Sequence, residues 1–164
     1  MNEREREQLR AQLVEDRETL LATGSGFAGR KLSWPTRNPD WTVRDVLAHV
    51  LASDLDLIAL LEAAGDPGAD PILARSLEEH ERETARWMYA TPEAMAGELR
   101  ERGVRWRELL DALPGPATEI LVSAHWIEGE RKLLDVAGDW PEHYSLHAED
   151  VRLALAEGRS RESR

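Results

Sequence analysis

His143 and His147 stand four residues apart in the stretch Trp140-Pro141-Glu142-His143-Tyr144-Ser145-Leu146-His147. On an α-helix, positions i and i+4 differ by about 40° around the axis and about 6 Å along it. Both imidazoles therefore leave the same helix face, a geometry that suits two ligands of one metal ion. Such a pair also fits a merely solvated helix face, so its meaning depends on a third donor. His49, between Ala48 and Val50 in a strongly apolar segment, is the candidate. By itself it reads first as a core histidine bonded to a backbone carbonyl or a neighbouring side chain; the sharper reading is a ligand facing the pair across the interior of a bundle. Taken together, His49, His143 and His147 point to one divalent ion, with zinc or nickel the natural choices for imidazole donors. Three protein ligands leave one coordination position open, as in catalytic sites where a bound water is acidified toward neutrality. The outer ring nitrogens then need acceptors, and Asp45, Ser53, Asp139, Glu142 and Asp150 are close enough in sequence to supply them.

The remaining histidines read differently. His80 lies in Leu77-Glu78-Glu79-His80-Glu81-Arg82 and is expected to be solvated; His125, beside Trp126, is expected to pack in a loop, with the mouth of a pocket as the other reading. Trp87 and Trp106 fall on apolar helical faces and read as core. Trp34, Trp41, Trp126 and Trp140 sit at helix starts or in loops, where capping and packing explain them; the other reading is that a subset lines an apolar substrate pocket near the metal. No Gly-x-Ser-x-Gly nucleophile elbow is present, which disfavours a serine hydrolase. Gly24-Ser25-Gly26 lacks the spacing and lysine of a phosphate loop. Arg105, Arg107, Arg131 and Lys132 could form an anion site if the fold gathers them.

The elements that must hold these residues are helical. The apolar spacing predicts a first helix over 3–22, a loop over 24–40, and a second helix starting at Thr42. Thr42 with Asp45 three residues on is a capping box, and Trp41 with Val46 is placed to form the hydrophobic staple. This second helix ends near Gly65 and carries His49 two turns in. A helical segment over 72–89 follows. Thr91-Pro92 starts a third long helix, which runs to about Leu113. Residues 117–128 are ambiguous between an extended stretch and a short helical turn. A short helix over 129–136 breaks at Gly138, and the last helix starts at Asp139-Trp140-Pro141 and runs to about Ala156. Residues 158–164 read as a frayed polar tail. Four long helices define an all-α antiparallel four-helix bundle with an additional short helix, expected as a single domain over 1–164.

Bulk properties narrow the partners. The chain has 164 residues, a net charge of -11 and no cysteine. The acidic charge argues against nucleic acid and anionic membranes, which reward basic surfaces. Without cysteine there is no disulfide, zinc-thiolate site or thiol nucleophile, and a cytoplasmic location is expected. The charged N-terminus does not read as a signal peptide, and no apolar run approaches a membrane span.

Two segments carry a family resemblance. Trp41-Thr42-Val43-Arg44-Asp45-Val46-Leu47-Ala48-His49-Val50 resembles the second-helix motif of the DinB-like four-helix-bundle superfamily. The segment 138–151, with its His-x-x-x-His, resembles that group's last-helix motif. The group includes the YfiT-like metal-dependent hydrolases and the N-terminal domain of mycothiol-dependent maleylpyruvate isomerase. The resemblance implies a divalent metal held by His49, His143 and His147, a small-molecule substrate, a homodimer, and in several members a low-molecular-weight thiol as cosubstrate. It thus favours a metal-dependent thiol transferase, isomerase or hydrolase acting on a small electrophile. The competing readings are a non-catalytic bundle that binds a small apolar molecule or assembles as a dimer, and a plain bundle with packed, unmetallated histidines.

Overall fold

The computed structural model describes residues 3–24, 29–65, 72–73, 75–114 and 120–162. Four long helices form the bundle: α1 (Glu3–Gly24), α2 (Val43–Ala64), α4 (Pro92–Ala112) and α6 (Trp140–Glu162). Each of α1 and α2 packs against both α4 and α6. Two shorter helices, α3 (Leu77–Trp87) and α5 (Leu133–Gly138), flank it. The helix α2 is buried on most of its surface, because apolar residues occupy nearly every turn from Val43 to Ala64. It starts as the sequence predicts. Thr42 accepts from the Asp45 N–H, and the Asp45 carboxylate accepts from Thr42. This satisfies two N–H groups that a helix start would otherwise leave unpaired.

Three local expectations are corrected. The segment over 72–89 is not one helix: Ile72–Leu73 is a strand, β1, and the helix begins only at Leu77. Ser76 and Glu79 form a second capping box that stops the helix from extending backward. Of the ambiguous stretch over 117–128, residues 117–119 lie outside the described residues, and Leu121–Ser123 takes the extended alternative as strand β2, which pairs parallel with β1 and antiparallel with β3 (Arg131–Lys132). The β3 pair takes the place of the first turn expected of the short helix over 129–136. The tail, finally, is helical through Glu162. Gly158 is held there because the Trp34 ring lies where its Cβ would be, at 2.2 Å.

Two buried ionic groups tie the helices together. Arg17 of α1 pairs with Asp54 of α2 at 2.8 Å and donates to the Tyr144 hydroxyl of α6 at 2.8 Å and to the Leu99 carbonyl of α4. Tyr144 donates to Asp54 in turn. Arg102 of α4 binds Glu83 of α3 and Glu98, each at 2.6 Å, and the Leu51 carbonyl of α2 at 2.5 Å. Trp87 donates to Glu83 at 2.8 Å. The second group anchors α3, otherwise a highly charged helix, against the bundle.

Candidate metal centre

His49 lies two turns into α2, while His143 and His147 lie in the first two turns of α6. The crossing of these helices brings the three rings together. His143 Nε2 is 3.2 Å from His49 Nε2 and 3.2 Å from His147 Nε2. Trp41, just before the α2 cap, stacks on His147 and meets His49 edge-on. Trp140 lies against His143. The indoles fix the ring planes from outside, so the nitrogens are held inward. Pro141 falls in the first turn of α6, where its missing N–H costs nothing.

Burial holds the His49 imidazole down at about 3, reinforced by His147 and His80, and holds His143 down at about 2, reinforced by His147, His49 and His80. Burial also lowers His147, against the pull of Asp150. All three are neutral at pH 7, the form that ligates metals. A neutral imidazole carries one N–H. If those protons sit on Nε2, they face one another. If they sit on Nδ1, those of His143 and His147 have no hydrogen-bond partner among the described residues. Asp150 Oδ2 lies 3.8 Å from His147 Nδ1, beyond hydrogen-bond reach, and that carboxylate is held by Arg37. A cation among the Nε2 atoms would use three lone pairs that otherwise oppose one another, so the donor set fits a divalent ion. Among the other acceptors considered from sequence, Asp45 is consumed by the α2 cap. Asp139 is engaged by Arg131 at 2.6 Å.

Beside the triad opens a cavity of about 230 Å³. Its lining includes His49 and His143, Ser53, Trp126, Trp140 and Asp139. Trp126 and Trp140 line it, the alternative to a purely capping or packing role. His80 corrects an expectation: it is not solvated but lines this cavity, its Nδ1 2.6 Å from Asp56 Oδ2. His125 faces the cavity too, its ring 5.0 Å from that of His80. Three of the four basic residues considered for an anion site are engaged separately: Arg105 with Glu62, Arg107 with the Gly103 carbonyl and Arg131 with Asp139.

Asp56, His80 and Arg75 were thus not apparent as site residues. Asp56 lies seven residues after His49, on the same face of α2, a spacing the sequence does display. Nothing local reports that α3 brings His80 and Arg75 onto it, because that placement depends on the β1–β2 pairing and the Arg102–Glu83 pair.

A four-helix bundle with inward histidines on its second and last long helices defines a class of metal-site bundle. Residues 13–152 match the family model of the mycothiol maleylpyruvate isomerase N-terminal domain. The chain belongs to that family. Two crystal structures of the mycothiol-dependent maleylpyruvate isomerase, one of them a histidine-to-alanine mutant, share its fold at TM-scores of 0.78 and 0.79 with 16% and 15% identity. They cover 89% of this chain, which spans 60% of theirs. YfiT from Bacillus subtilis, described as a probable metal-dependent hydrolase with an unusual four-helix bundle topology, has a TM-score of 0.75 at 18% identity, covering 99% of this chain and 90% of its own. No curated protein matches the chain.

Proposed function

We propose that this chain is a metal-dependent enzyme in which His49, His143 and His147 hold one divalent ion, zinc or nickel, and that it acts on a small electrophilic molecule with a low-molecular-weight thiol as cosubstrate. What carries this reading is the convergence of three neutral imidazoles through their Nε2 atoms, at the wall of a cavity sized for a small molecule. A divalent ion bound there supplies Lewis acidity and lowers the pKa of a water or thiol next to it. The chain's own residues do the rest. Trp41 and Trp140 hold the ring planes, Trp126 and Trp140 offer an apolar wall for the substrate, and Ser53 offers a hydroxyl within the lining. The family supports thiol transfer or isomerisation, and the likeness to YfiT supports hydrolysis as the other outcome. A homodimer and a cytoplasmic location belong to the same proposal. Among the described residues no helix is long and apolar enough to cross a membrane.

The test is metal analysis of untagged protein, wild type beside His49→Ala and His147→Ala. Each variant is expected to hold one ion fewer than wild type after incubation with zinc or nickel. Wild type that takes up neither metal removes the basis of the proposal and leaves a packed, unmetallated bundle. Given metal binding, conjugation of a thiol to a panel of electrophiles separates transfer from hydrolysis, and sedimentation velocity tests the dimer.

A further inference from the structure

We propose that Asp56, His80 and His125 form a second divalent-cation site, so that the cavity takes two ions side by side. One carboxylate and two imidazoles are brought together by three separate elements: α2, α3 and the turn after β2. Their ligand atoms all lie within 4.8 Å of one another. Asp56 Oδ2 is the common point, 2.6 Å from His80 Nδ1 and 3.9 Å from His125 Nε2. The β1–β2 pairing is what aligns them. It sets the start of α3, and hence His80, beside the turn that carries His125.

Asp56 is 1% exposed, and a buried carboxylate needs compensating positive charge. Arg75 supplies some of it, at 3.0 Å from Oδ1, and is itself fixed by the Glu79 carbonyl at 2.7 Å. That contact holds the carboxylate so that Oδ2, the other oxygen, faces the histidines. An ordinary Asp–His hydrogen bond would need only His80. The additional feature is His125, whose Nε2 lies 3.9 Å from the same oxygen. A carboxylate with two imidazoles, open to a cavity on its remaining side, is a donor set used by first-row divalent ions. The two groups touch through the rings of His49 and His80, 5.4 Å apart, and share one cavity. This inference rests on reading that cavity as a metal centre, but on residues separate from the triad.

The experiment is zinc stoichiometry on the untagged full chain, stripped with chelator and followed by calorimetry and elemental analysis. Circular dichroism checks that each variant is folded. Wild type is expected to bind two ions, and His80→Ala, His125→Ala and Asp56→Asn one each. His143→Ala is expected to keep one ion, and His143→Ala with His125→Ala none. One ion in wild type, abolished by His143→Ala and untouched by His125→Ala, overturns the second site and leaves the proposed function standing. One ion abolished by His125→Ala but kept by His143→Ala supports the second site and sinks the triad. No ion in wild type overturns both.

Discussion

At the scale of single residues, the buried charges show how much of this bundle is decided by groups far apart in the chain. Arg17, Asp54 and Tyr144 form one hydrogen-bonded unit in which every side chain is nearly inaccessible to water. Burial lowers the tendency of Arg17 to hold its proton, and the Asp54 and Tyr144 contacts more than restore it. Burial and the neighbouring Asp54 push the Tyr144 hydroxyl up, so it stays a donor. Asp54→Ala leaves a buried guanidinium without its counter-charge, and the expected loss is about 3–5 kcal/mol of unfolding free energy. Tyr144→Phe removes one hydroxyl from a carboxylate that keeps its arginine, with an expected loss of about 1–3 kcal/mol. Urea denaturation ranks the two; equal losses would mean that the three groups do not act as the ionic unit described. None of this was legible in the sequence. Arg17 reads there as one more charge on a solvated helix face, since helical periodicity says which residues share a face and not which residue 37 positions away meets them. The candidate ligands were legible because their information is local: a four-residue spacing on one helix and a histidine inside an apolar stripe on another. His80 was misread for the same reason, as its immediate neighbours are charged while its actual partner, Asp56, belongs to α2.

At the scale of elements, the site depends on where two helices begin. The helix α2 carries His49, Ser53 and Asp56 on successive turns, so its start sets the register of three cavity residues at once. The helix α3 carries His80 one turn after its own cap. Both starts are closed by reciprocal capping boxes, Thr42 with Asp45 and Ser76 with Glu79. Losing either cap, in Thr42→Ala or in Ser76→Ala, is expected to cost the helix it closes about 1 kcal/mol. Their consequences differ, because α2 is buried among the bundle helices whereas α3 is a short, charged helix tied to the bundle by Arg102 at Glu83, by Asp56 at His80 and by the buried Trp87 ring. Thr42→Ala is therefore expected to lower global stability with little change in local exchange. Ser76→Ala is expected to speed amide hydrogen exchange in the first turn of α3 at unchanged global stability. Equal exchange in wild type and Ser76→Ala would mean that the cap does not hold that turn. The Thr42 box was readable because a helical stripe follows it directly. The Ser76 box has the same pattern, but the apolar residues Ile72 and Leu73 before it suggest an earlier start, and their pairing with β2, some fifty positions away, is not written locally.

At the scale of the whole molecule, the buried imidazoles make stability depend on pH, and the sign follows from their burial. His49 is held at about 3 and His143 at about 2, whereas in the unfolded chain both titrate near the ordinary value of about 6.5. Between those limits the unfolded state binds more protons than the folded one, so stability rises with pH. The contribution is complete above about pH 6.5 and is lost progressively as the pH falls toward the folded values. From pH 7.5 to 5.5, each of the two histidines is expected to cost the metal-free protein about 1 kcal/mol. Denaturant unfolding at the two pH values measures this, with the doubly substituted His49→Asn, His143→Asn protein as the control that lacks the slope. A bound divalent ion adds to stability without steepening this dependence. It binds the folded state only, so it raises stability by RT ln(1 + [L]/Kd). Its ligands must be neutral to bind, and burial already keeps His49 and His143 neutral in the folded chain well below pH 5. The thermal midpoint gained on adding zinc should therefore change little between pH 7 and pH 5. A gain that collapses as the pH nears 5 would place the ion on ligands that the folded chain protonates in this range, and not on the buried histidines at the crossing of α2 and α6.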